Sequence, residues 1–185
     1  VEAMTKALTE NWGNPSALYS FGIDAARQLR QARHTVAAAL GAEPDRVFFT
    51  SGGTEADNWA IFSAAERLGK RGHHIVTTAV EHHAVLHPMQ KLEAKGFEVT
   101  YLQPDREGNI TVDALKKALR PDTILVSVMM VNNETGAVMP ISRRQQLMQW
   151  LAASPDRYLI EDDYDSEFRF SGLPIPPMQS MDRTG

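Results

Sequence analysis

A glycine-rich turn carrying a hydroxyl side chain is the first feature of the sequence that could do chemistry. Residues 50–55 read TSGGTE and lie between a short apolar run and a helical pattern. The first turn of a helix offers free N–H groups and a partial positive charge, which suit a phosphate. Gly53 permits close backbone approach, and Thr54 adds a hydroxyl donor. An ordinary strand-to-helix turn capped by Thr54 would give the same pattern.

Histidines follow the next apolar run, in residues 81–86 (EHHAVL). In a parallel α/β sheet, the carboxyl ends of the strands face the ligand crevice, where an imidazole could stack on a planar cofactor or transfer protons. A solvent-facing helix start is the alternative. His83 and His87 would share a helix face, but Pro88 adjoins them and the chain has no cysteine. We therefore predict no metal site.

Polar groups end two further apolar runs. Residues 131–136 read VNNETG, and residues 158–164 read YLIEDDY. Buried amides and carboxylates are costly unless they bind something, although a polar turn and an acidic loop would look alike in sequence. A carboxylate facing a pyridine nitrogen would keep that nitrogen protonated, and the ring would then withdraw electrons from a substrate carbanion. Four such motifs, each at a strand end, predict one site for a flat, phosphorylated cofactor.

The elements that must position these motifs alternate between helix and strand. Most predicted strands are apolar throughout, which is typical of a mainly parallel sheet covered on both faces, in a three-layer α/β sandwich. An opening helical pattern places Met4, Leu8 and Trp12 on one side. The predicted helices are 22–40, 56–69, 84–95, 112–119 and 142–153, and the predicted strands are 47–50, 74–79, 98–103, 123–130 and 158–162.

Composition excludes several functional classes. The chain has 185 residues, enough for one α/β domain, and its net charge of −4 argues against a nucleic-acid surface. No apolar run is long enough to cross a membrane, and residues 1–4 do not resemble a secretory leader. The lack of cysteine fits a reducing compartment, so we expect a cytoplasmic location and no membrane partner.

Residues 1 to about 140 resemble the cysteine desulfurases of aminotransferase class V, which are fold-type-I enzymes that use pyridoxal 5'-phosphate (PLP). The resemblance lies in residues 13–16 (GNPS), 47–58 (VFFTSGGTEADN), 81–86 (EHHAVL) and 131–136 (VNNETG). It implies that Gly53 and Thr54 hold the PLP phosphate, that His82 stacks on the pyridine ring, and that Asn133 contacts the ring's phenolic oxygen.

Residues 139–185 resemble a different family, the aminotransferase-like domain of MocR-type transcription regulators. By that resemblance Asp162, in the run Glu-Asp-Asp-Tyr, pairs with the pyridine nitrogen, and Tyr164 approaches the phenolic oxygen. The change of family falls near residues 137–142. We therefore expect a chimera or fragment, with residues 1–185 forming a single, truncated PLP-binding large domain.

The resemblance implies a lysine that carries PLP as a Schiff base and lies beyond the Asp162 strand. Every lysine of this chain precedes Asp162 and falls on a helical or helix-end pattern, so we assign no catalytic residue. The function by ancestry is C–S cleavage of L-cysteine, and we expect this chain to be inactive. The alternatives are a PLP- or phosphate-binding module, a non-catalytic chimera, or a MocR-type fragment; in each case we expect a homo-oligomer. The lysines are Lys6, Lys70, Lys91, Lys95, Lys116 and Lys117.

Overall fold

The computed structural model describes residues 1–132, 139, 141–153 and 159–161. The chain divides into two compact units, Val1–Thr50 and Ser51–Gly185. Within the described residues no helix is both long and apolar enough to cross a membrane.

The first unit is helical. It contains α1 (Glu2–Thr9), α2 (Ser20–Leu40) and a short 3-10 turn at Pro44–Arg46. The predicted end of α2 is confirmed, because Gly41 adopts the left-handed conformation with φ of 65°. Its N–H donates to the carbonyls of the last helical turn, which is how a glycine C-cap satisfies groups that the helix leaves open.

The predicted buried strand at residues 47–50 is wrong. These residues form no strand, and the side chains of Phe48 and Phe49 are 63% and 45% exposed. Val47 has extended dihedral angles, but with Phe48 and Phe49 exposed the run does not form a buried strand. Phe49 instead lies beneath the Arg33 guanidinium, whose carbon is 5.6 Å from the ring centroid.

The second unit is built on a small parallel sheet. Its three described strands, β1 (His74–Thr78), β2 (Glu98–Leu102) and β3 (Thr123–Val126), lie in the order β2-β1-β3, and both neighbouring pairs are parallel. This arrangement confirms the predicted α/β class with a mainly parallel sheet. The elements, in chain order, are α3 (Gly53–Leu68), β1 (His74–Thr78), α4 (His83–Glu93), β2 (Glu98–Leu102), α5 (Val112–Ala118), β3 (Thr123–Val126) and α6 (Ile141–Ala152).

The core of the second unit lies between one face of this sheet and helices α3 and α4. Ile75, at the centre of the sheet, pairs with Val99 on β2 and Leu125 on β3. It clusters with Ile61 of α3 and Met89 of α4, and both Ile75 and Met89 are fully buried. The central strand is buried along its whole length, and it includes the buried polar side chains of His74, Thr77 and Thr78.

Element boundaries differ from the predicted ones mostly by one to three residues. The largest difference in the second unit is β3, which ends at Val126 rather than at residue 130. The predicted strand at 158–162 is not observed where the structure describes it, because residues 159–161 form no strand and Ile160 is 51% exposed. Its other residues lie outside the described part of the chain.

Candidate cofactor-binding site

The glycine-rich turn before α3 is held by Glu55. Both the backbone N–H and the hydroxyl of Ser51 donate to Glu55 Oε2, each at 2.7 Å. These two bonds, the backbone one first, lower the pKa of the Glu55 carboxyl below its ordinary value. The N-cap position itself is Gly52, and no side chain caps the helix there. The turn is therefore stabilised from within, and its capping does not occupy Thr54.

The start of α3 has free donors and open space. Within the described part of the chain the Thr54 hydroxyl makes no hydrogen bond, so the predicted alternative of a Thr54 cap is not observed. A Cβ atom built on Gly53 would meet nothing within 4 Å. The first N–H groups of a helix have no intrahelical acceptor. Backbone donors, a hydroxyl and the positive end of a 16-residue helix thus face accessible space, which is a donor set that fits a phosphate.

His82 is the N-cap of α4. Its Nδ1 accepts a hydrogen bond from the backbone N–H of Ala84 at 3.1 Å. Since Nδ1 accepts, the proton of the neutral ring lies on Nε2. The side chain is exposed, as is its neighbour His83. The structure therefore assigns His82 a capping role, and one edge of its ring is fixed by that role.

A buried carboxylate joins the ends of β1 and β3. Glu81 is 8% exposed, and its Oε1 accepts from the Thr78 hydroxyl at 3.0 Å and from the Met129 N–H at 2.6 Å. A second hydrogen bond connects the same two segments: the Asn132 side-chain amide donates to the Val80 carbonyl at 3.0 Å. The two strand ends are thereby fixed to each other at the edge of the sheet from which α4 starts.

Sequence reasoning missed the role of Glu81, although it lies inside a motif that was singled out. A carboxylate placed between an apolar strand and a helix start is a signal for a buried acceptor, because backbone donors are left open where a strand ends. The sequence leaves open whether the amides of residues 131–136 bind a ligand or form a polar turn, and the Asn132 amide donates to a backbone carbonyl. That part of the 131–136 motif is structural.

The first turns of α3 and α4 are joined by one side chain. Asn58 Nδ2 donates to the Thr54 carbonyl at 2.7 Å and to the Ala84 carbonyl at 3.2 Å. The turn that carries Gly53 and Thr54 therefore lies beside the turn that His82 caps. Of the predicted site residues, the structure brings these three to the same pair of helix starts.

The remaining predicted site residues are not described. Asn133, Asp162 and Tyr164 lie outside the described part of the chain. The lysines all lie in helices or directly after them, as predicted. His83 and His87 have ring centroids 5.1 Å apart, and among the described residues no three histidines or carboxylates are grouped to hold a metal.

Comparisons with known proteins identify the family. The family model described as aminotransferase class-V matches residues 1–152. A protein named cysteine desulfurase IscS from Clostridium botulinum is 51% identical over 147 residues, covering 80% of this chain and 37% of the relative. The IscS of Methanosarcina thermophila is 51% identical over 141 residues, which are 76% of this chain and 35% of that protein.

Solved structures of similar proteins show the same fold. The structure titled NifS-like protein superposes with a TM-score of 0.70 at 40% identity, covering 79% of this chain and 40% of that one. The chain spans about 37% of the length of the curated relatives it matches. With the family model matching well over half of its length, the chain belongs to the aminotransferase class V family.

Proposed function

We propose that this chain is the PLP-binding part of a cysteine desulfurase, an enzyme whose whole-protein activity is C–S cleavage of L-cysteine. The similarity to proteins named cysteine desulfurase supports the family of reaction. The start of α3 supports the cofactor, because its donors suit the phosphate that PLP carries. We expect residues 1–185, tested alone, to bind the cofactor without releasing sulfide, because no cysteine is present in them to accept sulfur.

The observation that carries this proposal is the unengaged donor set at Gly53 and Thr54. The Thr54 hydroxyl would donate to a phosphate oxygen, and the N–H groups of the first turn would complete the binding of the dianion. Glu55 turns back to Ser51, so its carboxylate is occupied by two donors of its own chain. The turn thus keeps its shape whether or not an anion is bound.

His82 would lie flat against the pyridine ring of PLP. Its Nδ1 is fixed by the Ala84 N–H, so the plane of the imidazole is set before a ligand arrives. The Nε2–H lies in the plane of the imidazole and would remain free to donate towards a substrate beside the ring. The exposure of His82 leaves room for this stacking.

Three further residues complete the proposed site by resemblance. Asn133 and Tyr164 would contact the phenolic oxygen of PLP, and Asp162 would pair with the pyridine nitrogen. When bound, PLP supplies the electron-withdrawing ring on which the reaction of the whole enzyme depends. None of the lysines in residues 1–185 matches a Schiff-base motif, so we expect these residues tested alone to hold PLP without a covalent bond.

Paired titrations with PLP and with pyridoxal, which lacks the phosphate, test this proposal. Thr54→Val should weaken PLP binding about tenfold, the effect of losing roughly 1.4 kcal/mol from one hydrogen bond to a charged group. The same variant should leave pyridoxal binding unchanged. The control Thr35→Val, whose hydroxyl bonds only within α2, should change the binding of neither PLP nor pyridoxal. Equal affinities of the unsubstituted protein for PLP and pyridoxal would contradict the proposal.

We also propose that the chain is a chimera in which the part resembling a MocR-type regulator, predicted from residue 139 on, begins beyond the class-V match that ends at residue 152. The residues that support this lineage are those of the segment 161–164, EDDY. If Asp162 pairs with the pyridine nitrogen, Asp162→Ala should weaken binding of both PLP and pyridoxal, because both contain that nitrogen. Unchanged binding in this variant would remove the functional basis for the second lineage.

Self-association is a further part of the proposal. Met4, Leu8, Trp12 and Leu18 are each at least 69% exposed, and each would contribute about 1.5–3 kcal/mol if buried. A symmetric contact with a second copy is a common way to bury such side chains. Light scattering coupled to gel filtration should detect a dimer or larger oligomer, and Leu8→Glu should reduce it. A monomer at both low and high concentration would contradict this proposal.

A cytoplasmic location is proposed on the lack of cysteine alone.

A further inference from the structure

The side chain of Asn58 makes an unusual pair of hydrogen bonds. Its amide nitrogen donates to the Thr54 carbonyl within α3, at 2.7 Å, and to the Ala84 carbonyl in α4, at 3.2 Å. A side-chain amide has two N–H groups, so both bonds can form at once. One residue thereby contacts the backbone of two helix starts.

The second bond exists because of a proline in the other helix. Pro88 lies inside α4, is fully buried and follows Ala84 by one helical hydrogen-bonding step. In an α-helix the carbonyl of residue 84 would accept from the N–H of residue 88, but proline has none. A carbonyl left without its donor in a buried helix is costly. Asn58 supplies the missing donor from α3.

This substitution of donors links two parts of the proposed site. The first turn of α3 carries Gly53 and Thr54, and the first turn of α4 is capped by His82. A PLP molecule held through both its phosphate and its ring must contact both turns, so its affinity depends on their spacing. Inorganic phosphate needs only the α3 turn.

We infer that Asn58 is a positioning residue, which, paired with Pro88, sets the spacing between the phosphate-binding turn and His82. The inference rests on the proposed function. It differs from a purely structural role in one measurable respect. A structural role predicts equal effects on every ligand, whereas a positioning role predicts a selective loss of the ligand that spans both turns.

The experiment measures dissociation constants for PLP and for inorganic phosphate in the full chain. Asn58→Ala should raise the PLP constant about tenfold and leave that for phosphate within about twofold. The control Asn109→Ala, at an asparagine in the turn before α5, should change neither. An equal loss for both ligands, or no loss for either, overturns the inference. Failure of the proposed function would appear separately: the Thr54→Val variant would then bind PLP as tightly as the unsubstituted protein does.

A double-mutant cycle tests the link to Pro88. In Pro88→Ala the backbone N–H of residue 88 can donate to the Ala84 carbonyl, so that carbonyl should depend less on Asn58. Asn58→Ala should therefore shift the urea midpoint less in the Pro88→Ala protein than in the original one. Identical shifts in both backgrounds overturn the pairing. Should Asn58→Ala alone not fold, the double variant provides the ligand comparison, and the selective loss of PLP should persist in it.

Discussion

The two units of this chain treat their apolar side chains in opposite ways. In Val1–Thr50 the only buried helical residues are Gly22 and Ala37, and large apolar side chains such as Trp12 and Phe21 are more than half exposed. In the described part of Ser51–Gly185, by contrast, Ile75, Val76 and Met89 are at most 1% exposed. Both units contain long helices, so helix content does not explain the difference.

The difference lies in the sheet. Three parallel strands give the second unit a flat apolar face against which α3 and α4 can pack, so residues distant in sequence share one core. An isolated helix gains most of its stability from packing an amphipathic face, and the helices of the first unit have little within that unit to pack on. The candidate site lies in the unit that carries its own core, where helix starts can be held in fixed positions.

The first unit nevertheless contains cationic side chains that an anion could contact. A cleft of about 280 Å³ is lined by Arg30 and Arg33 together with Pro15 and Ser16. Within the described residues Arg33 Nε is buried without a hydrogen-bond partner. Guanidinium groups bind phosphate well, so charge alone would favour this cleft. The helices that line this cleft share almost no buried core, so they hold its side chains less firmly than the sheet-based unit holds the start of α3.

The largest effect should come from a matched pair of methionines. Met89 is fully buried and Met4 is 69% exposed. Met89→Ala should lower the free energy of unfolding by about 2–5 kcal/mol, whereas Met4→Ala should change it by less than about 0.5 kcal/mol. Urea denaturation monitored by circular dichroism measures both. Similar costs for the two variants would show that the first unit has a core of its own.

The next effect concerns the tie between the strand ends. Glu81→Ala leaves the buried Thr78 hydroxyl and the Met129 N–H without their acceptor, which should cost about 1–3 kcal/mol. Glu81→Gln keeps one acceptor oxygen and should recover part of that cost. The same denaturation experiment compares them. If Glu81→Ala were as stable as the original protein, the two strand ends would not depend on this carboxylate.

A smaller, pH-dependent effect should arise at His74. Its ring is 1% exposed and bonded to the hydroxyls of Thr123 and Thr100. Burial first, and then the Arg120 charge, lower its pKa below the ordinary 6.5, while Asp122 and Glu98 act in the opposite sense.

Between the lowered pKa of His74 in the folded protein and its ordinary value of 6.5, the unfolded state therefore binds more protons than the folded state. The stability that the neutral ring contributes is present above pH 6.5 and is lost as the pH falls towards the folded pKa. Denaturation midpoints measured from about pH 7.5 to 5 should decline, and His74→Gln should flatten that decline. An equally steep decline in the variant would assign the effect to other groups.

The smallest effect should come from the surface of the first unit. Arg27 and Asp24 form an ion pair at 2.8 Å, with side chains 74% and 53% exposed. Because water and salt screen such pairs, Asp24→Asn should change the free energy of unfolding by less than about 0.5 kcal/mol. Repeating the measurement at high salt should abolish even that difference. A cost above 1 kcal/mol would mean that α2 is packed in a way its exposure does not suggest.

How much the sequence predicted depended on whether the signal was local. The helices, the Gly41 cap and the turn at Gly53 follow from periodicity and backbone chemistry within a few residues, and all are observed. The strand at 47–50 failed because a short apolar run fits both a buried strand and an exposed extended segment.

The role of Asn58 was out of reach for a related reason. Asparagine in a helix is not itself informative. The Ala84 carbonyl that Asn58 contacts lacks its usual helical donor because Pro88, in the same helix α4, has no N–H, whereas Asn58 lies in α3. That pairing depends on tertiary contacts between α3 and α4, which a local sequence pattern does not predict. Glu81 is an intermediate case, since its position after an apolar strand indicated a buried acceptor but not which donors would use it.

Backbone amide shift mapping tests the central claim, that the start of α3 binds the phosphate of PLP, most directly. The difference between spectra recorded with PLP and with pyridoxal isolates the effect of the phosphate. The account predicts that this difference is largest at the N–H groups of Gly53, Thr54 and Glu55, and that Thr54→Val reduces it. A difference concentrated instead at Ser16, Arg30 and Arg33 would contradict the account and move the phosphate site to the cleft of the first unit.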